Sequence, residues 1–348
     1  MARIAVIPGD GIGVEVVDAG LSVLAAVAAK RGLSIELERL DYGANRYLKD
    51  GTTLPAGEVE RLRCEADAIL LGALGDPRIP DMRHGREILL ALRFELDLFI
   101  NLRPVRCLAD RLCPLKHKRA RDVDFVVFRE NTEGLYADVG GIFKKGTADE
   151  VAINEEINTR KGVERIIRAA FDYAKVHHRA RVTMADKSNA VRFGHDLWRR
   201  VFAEVARDFP GIDAEHLYVD ALSVAMLERP EALQVIVTNN LFGDIVTDLG
   251  AALQGGMGMA ASANLGPAGV ALFEPVHGSA PALAGKGEAN PIATILSVAL
   301  LLAHLGHKEA AADVEAAVER AIEANRLTRD VGGSCATREV ADFIASAV

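Results

Sequence analysis

The sequence predicts an α/β protein built on a largely parallel sheet, and three observations carry that expectation. Apolar β-branched runs alternate with helical patterns along the chain, the order produced by parallel strands joined through crossover helices. The runs are continuously apolar, as in residues 68–71 (AILL) and 125–128 (FVVF), which suits strands covered on both faces. The chain has 348 residues, and at about 150 residues per domain that suggests roughly two domains.

The elements follow in order. Residues 4–7 read as the first strand, with a helix over about residues 13–30, then strands at 35–40 and 68–71. Further strands are expected at residues 125–128, 181–185 and 235–238 (VIVT). Apolar residues at helical spacing predict long helices over 160–177, 196–208, 291–304 and 309–325. Residues 131–150 are rich in Gly and Asp and show no clear period. A loop of that length inside a compact chain is often functional or an interaction arm. No repeat, low-complexity tract or Pro/Gly/Ser linker divides the chain.

Composition narrows the function. Half of the residues are apolar and 26% are charged, with 41 Lys+Arg against 49 Asp+Glu and a net charge of −8. Such a balance opposes nucleic-acid binding, which needs a basic face, and docking on anionic membranes. The start Met1-Ala2-Arg3-Ile4 lacks the apolar run of a signal peptide. The most apolar stretch, residues 292–303, has 12 residues, too few to cross a bilayer. Four cysteines (Cys64, Cys107, Cys113, Cys335) form no CxxC pair, which opposes a disulfide scaffold or zinc ribbon. A cytoplasmic, soluble two-domain protein is the expectation.

Five segments carry candidate chemistry. Pro8-Gly9-Asp10-Gly11-Ile12-Gly13 follows a strand and opens a helix, with Glu36 or Glu38 downstream. Its G-x-G-x-G spacing differs from the G-x-G-x-x-G that cradles a pyrophosphate, so a tight strand–helix turn is the favoured reading. Asp244 and Asp248 lie four apart on a predicted helix face among apolar neighbours. Their repulsion, worth about 0.2–0.5 kcal/mol, would be removed by Mg²⁺ or Mn²⁺, although two solvated carboxylates are the favoured reading from spacing alone. Asp220 in YVDA is a candidate third oxygen ligand.

Arg93, Arg103 and Arg129 stand inside or at the end of apolar segments. Guanidinium forks there suit a di- or tricarboxylate; three separate structural ion pairs suit the pattern as well. Tyr136 and Lys187, brought together, would lower each other's pKa and relay a proton, but 51 residues of separation say nothing of proximity. His277, Gly278, Ser279 and Ala280, followed by Asn290 before an apolar helix, form a polar loop fit for a base or ribose, or simply a helix entry. His195 and the pair His177-His178 read as helix-surface residues without a role.

PGDGIG, LDLFINLRP, RENTEGLY, DKSN, YVDA, NNLFGDIVTDL and FEPVHGSAP with AGKGEANP occur collinearly. With them the chain resembles, over essentially its whole length, the β-decarboxylating dehydrogenases of isopropylmalate, isocitrate, homoisocitrate and tartrate. The resemblance implies a two-domain isopropylmalate dehydrogenase-like fold with mixed, largely parallel sheets and no Rossmann domain. Residues 1–98 and 256–348 would form a large domain. Residues 99–255 would form a smaller one carrying a dimer clasp arm, with the active site in the cleft.

The resemblance also implies roles. Arg93, Arg103 and Arg129 match substrate-carboxylate arginines; Asp244 and Asp248 match metal aspartates, with Asp220 and Lys187 reaching in from the partner of a homodimer with shared sites. Tyr136 and Lys187 match the acid–base pair. His277, Gly278, Ser279, Ala280 and Asn290 match the loop that takes the adenosine of NAD. The implied cofactors are thus NAD and Mg²⁺ or Mn²⁺, and the implied reaction oxidises a small 2-hydroxy acid and releases CO₂.

Leu89 and Leu90 occupy the positions that meet the substituent on C3 in this family. Two leucines would desolvate a carboxylate but favour an alkyl group by about 0.8 kcal/mol per buried methylene, so 3-isopropylmalate is the expected substrate. The alternatives are a paralogue acting on another hydroxy acid, or a non-catalytic dicarboxylate-binding subunit. Two departures stand out. Arg86 replaces a Glu common in relatives, and Ala282-Leu283 replaces the Asp that selects NAD. Between Asn101 and Arg121, seven Lys/Arg and one Asp form a local positive patch in an acidic chain.

Overall fold

The structure, a computed structural model, describes residues 1–348. The chain begins β1 (Ala2–Gly9), α1 (Gly13–Arg31), β2 (Ile35–Arg39), α2 (Ala44–Asp50), α3 (Glu58–Glu65), β3 (Ala68–Ala73), α4 (Arg83–Glu95) and β4 (Ile100–Arg106). It continues with β5 (Asp124–Glu130), β6 (Gly134–Phe143), β7 (Val151–Ile157), α5 (Arg160–Val176), β8 (Arg181–Asp186), α6 (Arg192–Ala206) and β9 (Asp213–Tyr218). Then come α7 (Val219–Glu228), β10 (Val235–Thr238), α8 (Asn240–Leu253), β11 (Ala261–Leu265) and β12 (Ala271–Pro275). The helices α9 (Ile292–His304), α10 (Lys308–Glu323) and α11 (Thr337–Ala347) end it. No helix is long and apolar enough to cross a membrane.

Two compact units result. The first holds Met1–Leu98, Arg103–Val123 and Ala251–Val348; the second holds Phe99–Leu102 and Asp124–Gly250. Residues 103–123 and 251–255 therefore belong with the termini, not with the middle segment in which the sequence reading placed them. Side chains explain the shift. Arg106 Nη2 pairs with Glu319 Oε1 at 2.9 Å, and Arg111 Nη2 donates to Ile322 O at 2.8 Å, so the end of α10 holds this segment.

In the first unit the strand order is β2-β1-β3-β12-β11-β4. β1 pairs in parallel with β2 and β3, and β12 in parallel with β3, while β11 runs antiparallel to β12. The fully buried runs Ile4–Ile7 and Ala68–Leu71 show why these strands read as continuous apolar segments: helices or loops cover both faces. One face packs Ile7, Leu71, Leu62, Ile88 and Leu92 into a core. The α1 helix packs with α9, α10 and α11.

In the second unit the order is β4-β5-β10-β8-β9, and the β5-β10, β10-β8 and β8-β9 pairs are parallel. The α5 helix starts where Thr159 Oγ1 accepts the Gly162 N–H at 3.0 Å, a side-chain cap for an otherwise unpaired donor. Its stripe of Val163, Ile166, Ile167, Ala170, Phe171 and Ala174 is buried against β5, β8 and α6, the face expected of an amphipathic helix.

Residues 131–150 are not the structureless loop their composition suggests. β6 and β7 form a separate antiparallel ribbon, with Val139 opposite Glu155 and Phe143 opposite Val151. Ile142, Phe143, Val151 and Ile153 are all exposed on it. Without a buried face the ribbon has no inside–outside alternation to read. Gly140 is required there, because a Cβ would lie 2.1 Å from Ile153 O across the ribbon.

Candidate active site

In the first unit, α4 and β12 fix one arginine. Arg93 is buried near the end of α4, and its Nη2 donates to Glu274 Oε1 at 2.9 Å. Asn264 Nδ2 donates to the same oxygen at 2.9 Å. Arg93 Nε is buried and has no hydrogen-bond partner within the chain. Leu89 and Leu90 stand four and three residues before Arg93 on α4, hence on its side of the helix, and both are half-buried. Arg103 is buried in β4. Arg86 is exposed, while its neighbour Glu87 is paired with Arg83 at 2.5 Å.

The glycine-rich segment is a close-packed turn, as its spacing favours. Gly9 and Gly11 have φ of +71° and +56°, and a Cβ would lie 2.0 Å from Ala73 O and from Ser279 O respectively. Ile12 N donates to Ser279 O at 2.8 Å, so this turn holds the HGSAP loop in place. Asp10, buried, accepts from Ala44 N at 2.6 Å and Gly75 N at 2.8 Å and meets His84 Nε2 at 2.8 Å.

His277 Nδ1 lies 3.0 Å from Gly278 O, which fixes a proton on Nδ1 and leaves Nε2 as an acceptor without a protein partner. Burial pushes its pKa below the ordinary histidine value. Gly278 is exposed with open space at its Cβ position, Ser279 is buried, and Ala280 takes a positive φ of +36°. Asn290 is committed on both sides of its amide. Its Oδ1 accepts from Ile292 N at 3.1 Å and its Nδ2 donates to Asp330 at 3.1 Å. Ala282 and Leu283 are exposed.

In the second unit, β5 delivers Arg129 into α8. Nε and Nη2 donate to Asn240 Oδ1 at 3.0 and 2.7 Å, and Nη1 pairs with Asp244 Oδ1. Gly243 permits this, since a Cβ there would meet Arg129 Cγ at 2.5 Å. Tyr136 O–H donates to Asp244 Oδ2 at 2.7 Å, and the Arg129 guanidinium lies 5.2 Å from the Tyr136 ring centre. Burial, followed by the Asp244 carboxylate, raises the Tyr136 pKa. The mutual lowering by Lys187 expected from sequence is therefore not what one chain displays.

Lys187 has a different partner. Its Nζ is 2.8 Å from Asp220 Oδ1 and 5.8 Å from the Tyr218 ring centre. The lysine's hydrogen bond keeps the exposed Asp220 carboxyl below its ordinary pKa. Asp244 and Asp248 lie one turn apart on α8, and Asp248 is exposed. No three His, Cys, Asp or Glu side chains of one chain gather as a metal-ligand group. The carboxylate oxygens of α8 are hard donors suited to Mg²⁺ or Mn²⁺, and Arg129 balances part of their charge.

Some partners escaped the sequence reading. Glu274 is the one acidic residue in the apolar strand ALFEP, a signal that was available. His195 was read as a helix-surface residue, yet it is 1% exposed. The α6 helix starts at Arg192, so its first turn faces β7. Glu156 of the ribbon and Asn239 before α8 both reach that imidazole, and neither position carries a local sequence signal.

The sequence pattern of the family described as isocitrate/isopropylmalate dehydrogenase matches residues 3–344. The chain is 46% identical over 348 residues to a 3-isopropylmalate dehydrogenase of Thermobifida fusca (strain YX), covering 99% of this chain and 97% of that protein. It is 49% identical over 345 residues to one of Frankia casuarinae, covering 97% and 99%. Among solved structures, isocitrate dehydrogenase from Methylococcus capsulatus matches with a TM-score of 0.89 at 38% identity, over 99% of both chains.

Proposed function

Because the chain belongs to the isocitrate/isopropylmalate dehydrogenase family, we propose that it oxidatively decarboxylates (2R,3S)-3-isopropylmalate to 2-oxo-4-methylpentanoate, a step of leucine biosynthesis in the cytoplasm. The observation that carries the choice of substrate is the α4 face, where Leu89 and Leu90 stand beside Arg93. An isopropyl group gains from leucine contact, while desolvating a third carboxylate there would cost on the order of several kcal/mol. The relatives named 3-isopropylmalate dehydrogenase support the same substrate.

The chain's residues divide the work. Arg93, Arg103 and Arg129 hold the substrate carboxylates. Asp244 and Asp248, with Asp220 from a second copy, hold Mg²⁺ or Mn²⁺; His277, Gly278, Ser279, Ala280 and Asn290 hold the adenosine end of NAD. When bound, the cation supplies Lewis-acid polarisation of the 2-hydroxyl and 1-carboxylate, and NAD supplies the hydride acceptor. Lys187, as the neutral amine, takes up the 2-hydroxyl proton and becomes the ammonium. Tyr136, a phenol protonated near neutrality, donates a proton to the carbon that loses CO₂.

The sharing of Lys187 and Asp220 rests on a homodimer. Ile142, Phe143, Val151 and Ile153 on the ribbon, Val224 and Leu227 on α7, and Ile245 on α8 expose apolar surface, and a second copy would bury it at about 25 cal/mol per Å². The NAD preference is soft, because neither Ala282 nor Leu283 offers a carboxylate to reject a 2′-phosphate. Product analysis tests the reading: 3-isopropylmalate and NAD should yield 2-oxo-4-methylpentanoate, CO₂ and NADH in equal amounts. An oxidised product that retains the second carboxylate would contradict decarboxylation.

A further inference from the structure

Glu156, near the end of β7, stands at the meeting point of three elements of the second unit. His195 Nε2 lies 3.2 Å from Glu156 Oε1, and Asn239 Nδ2 donates to that same oxygen at 2.9 Å. The far side of the imidazole reaches the loop after β8, where Lys187 N–H donates to His195 Nδ1 at 2.8 Å. This bond occupies the Nδ1 lone pair, so the ring proton sits on Nε2 and points at the carboxylate. Asn239 Oδ1 in turn accepts the Phe242 N–H at 2.9 Å in the first turn of α8. Nearby, Trp198 Nε1 donates to Asn158 Oδ1 at 2.8 Å, pinning the end of the ribbon strand to α6.

We infer that Glu156, His195 and Asn239 are positioning residues through which the β6–β7 ribbon orients both Lys187 and the start of the aspartate helix. The inference rests on the proposed roles of Lys187, Asp244 and Asp248. His195 touches Lys187 only through the backbone amide, so it sets where the ammonium group stands and takes no part in proton transfer. One carboxylate oxygen serves two donors, and each donor leads to a different part of the machinery. A shift of the ribbon therefore reaches both. Burial of His195 and Asn239, 1% and 5% exposed, denies the freed groups water as a substitute partner.

Substitutions separate the branches. His195→Ala removes the acceptor for Lys187 N–H, whereas His195→Asn offers its Oδ1 in the place of Nδ1. Glu156→Ala releases both branches. Residue-resolved amide hydrogen exchange on the full chain reads positioning directly: Lys187 should exchange at least about tenfold faster in His195→Ala, with Phe242 unchanged, and both faster in Glu156→Ala. In steady state, kcat should fall between about ten- and a hundredfold in His195→Ala with KM for the hydroxy acid within about threefold, and His195→Asn should recover most of it.

Unchanged protection of Lys187 in both alanine variants overturns the inference. So does lost protection with unchanged kcat, or an Asn variant as impaired as Ala in both readouts. If His195→Ala does not fold, Glu156→Ala carries the test, with faster exchange expected at both Lys187 and Phe242. Exchange needs no turnover, so a wild-type chain inactive on every 2-hydroxy acid would contradict the proposed reaction, and the exchange pattern would still decide whether the ribbon holds Lys187 and α8.

Discussion

Asp10 Oδ2 and His84 Nε2 lie 2.8 Å apart in the interior of the first unit, joining the turn after β1 to the first turn of α4. The other bonds of Asp10 run to Ala44 N at the start of α2 and Gly75 N beyond β3. One carboxylate thus gathers four segments, one of which presents Leu89, Leu90 and Arg93. The acidic residue inside the glycine-rich turn is architectural.

Asp10→Ala should destabilise the protein by at least about 3 kcal/mol, because buried donors left without an acceptor cost about 1–3 kcal/mol each. Denaturant unfolding measures the loss. An unchanged midpoint, or a selective loss of NAD binding in a fully stable variant, would argue for a nucleotide role instead.

Asp244→Ala should lower kcat at least about a hundredfold, and excess Mn²⁺ should not restore it. The same change strips Arg129, 2% exposed, of its carboxylate partner, and breaking a buried pair costs up to about 3–5 kcal/mol. The 38% exposure of Asp244 places the expected loss below that range. Kinetics with a metal titration, paired with thermal unfolding, separates the two effects.

Replacing Leu89 and Leu90 with Ser should reduce kcat/KM for 3-isopropylmalate by between about 10- and 200-fold per lost contact. Malate lacking the alkyl group should be affected far less. A uniform loss across both substrates would place the leucines outside the substituent's contact.

The acid dependence of the ribbon contact follows from Glu156. Burial alone would raise its pKa, but the His195 imidazole, followed by the Asn239 amide, brings it below the ordinary 4.5. A depressed folded-state pKa means stability that is fully present above the unfolded value and disappears as pH falls through the folded one. The stability difference between wild type and Glu156→Gln should therefore be flat from pH 7 to about 5 and shrink only below about 4.5. A difference already shrinking at pH 6 would contradict the sign of the shift.

Phe143→Asp, placed on a residue 62% exposed, should shift the chain from dimer towards monomer in sedimentation velocity and reduce activity in step. A monomeric wild type with full activity would contradict shared sites.

What the sequence made legible follows physical lines. The strands Ala68–Ala73 and Val235–Thr238 are buried on both faces, so their composition alone announces them. Helices with one buried stripe, such as α5, were equally plain. The short α2 and α3 carry too few turns to show a period, and the ribbon has no buried face. Arg129, Tyr136 and Asp244 were each visible as candidates, but their mutual contact depends on Gly243 admitting the arginine against α8. His195 was misread because burial of a helix's first turn depends on what crosses it, here the distant strand β7.

The most direct test of the central claim is the initial rate of NAD reduction with 3-isopropylmalate and with isocitrate, measured on metal-stripped protein before and after Mn²⁺ is returned. The expected result is no rate without metal, recovery with Mn²⁺, and a kcat/KM at least about a hundredfold higher for 3-isopropylmalate. Preferred turnover of isocitrate, or a full rate on metal-stripped protein, would contradict it.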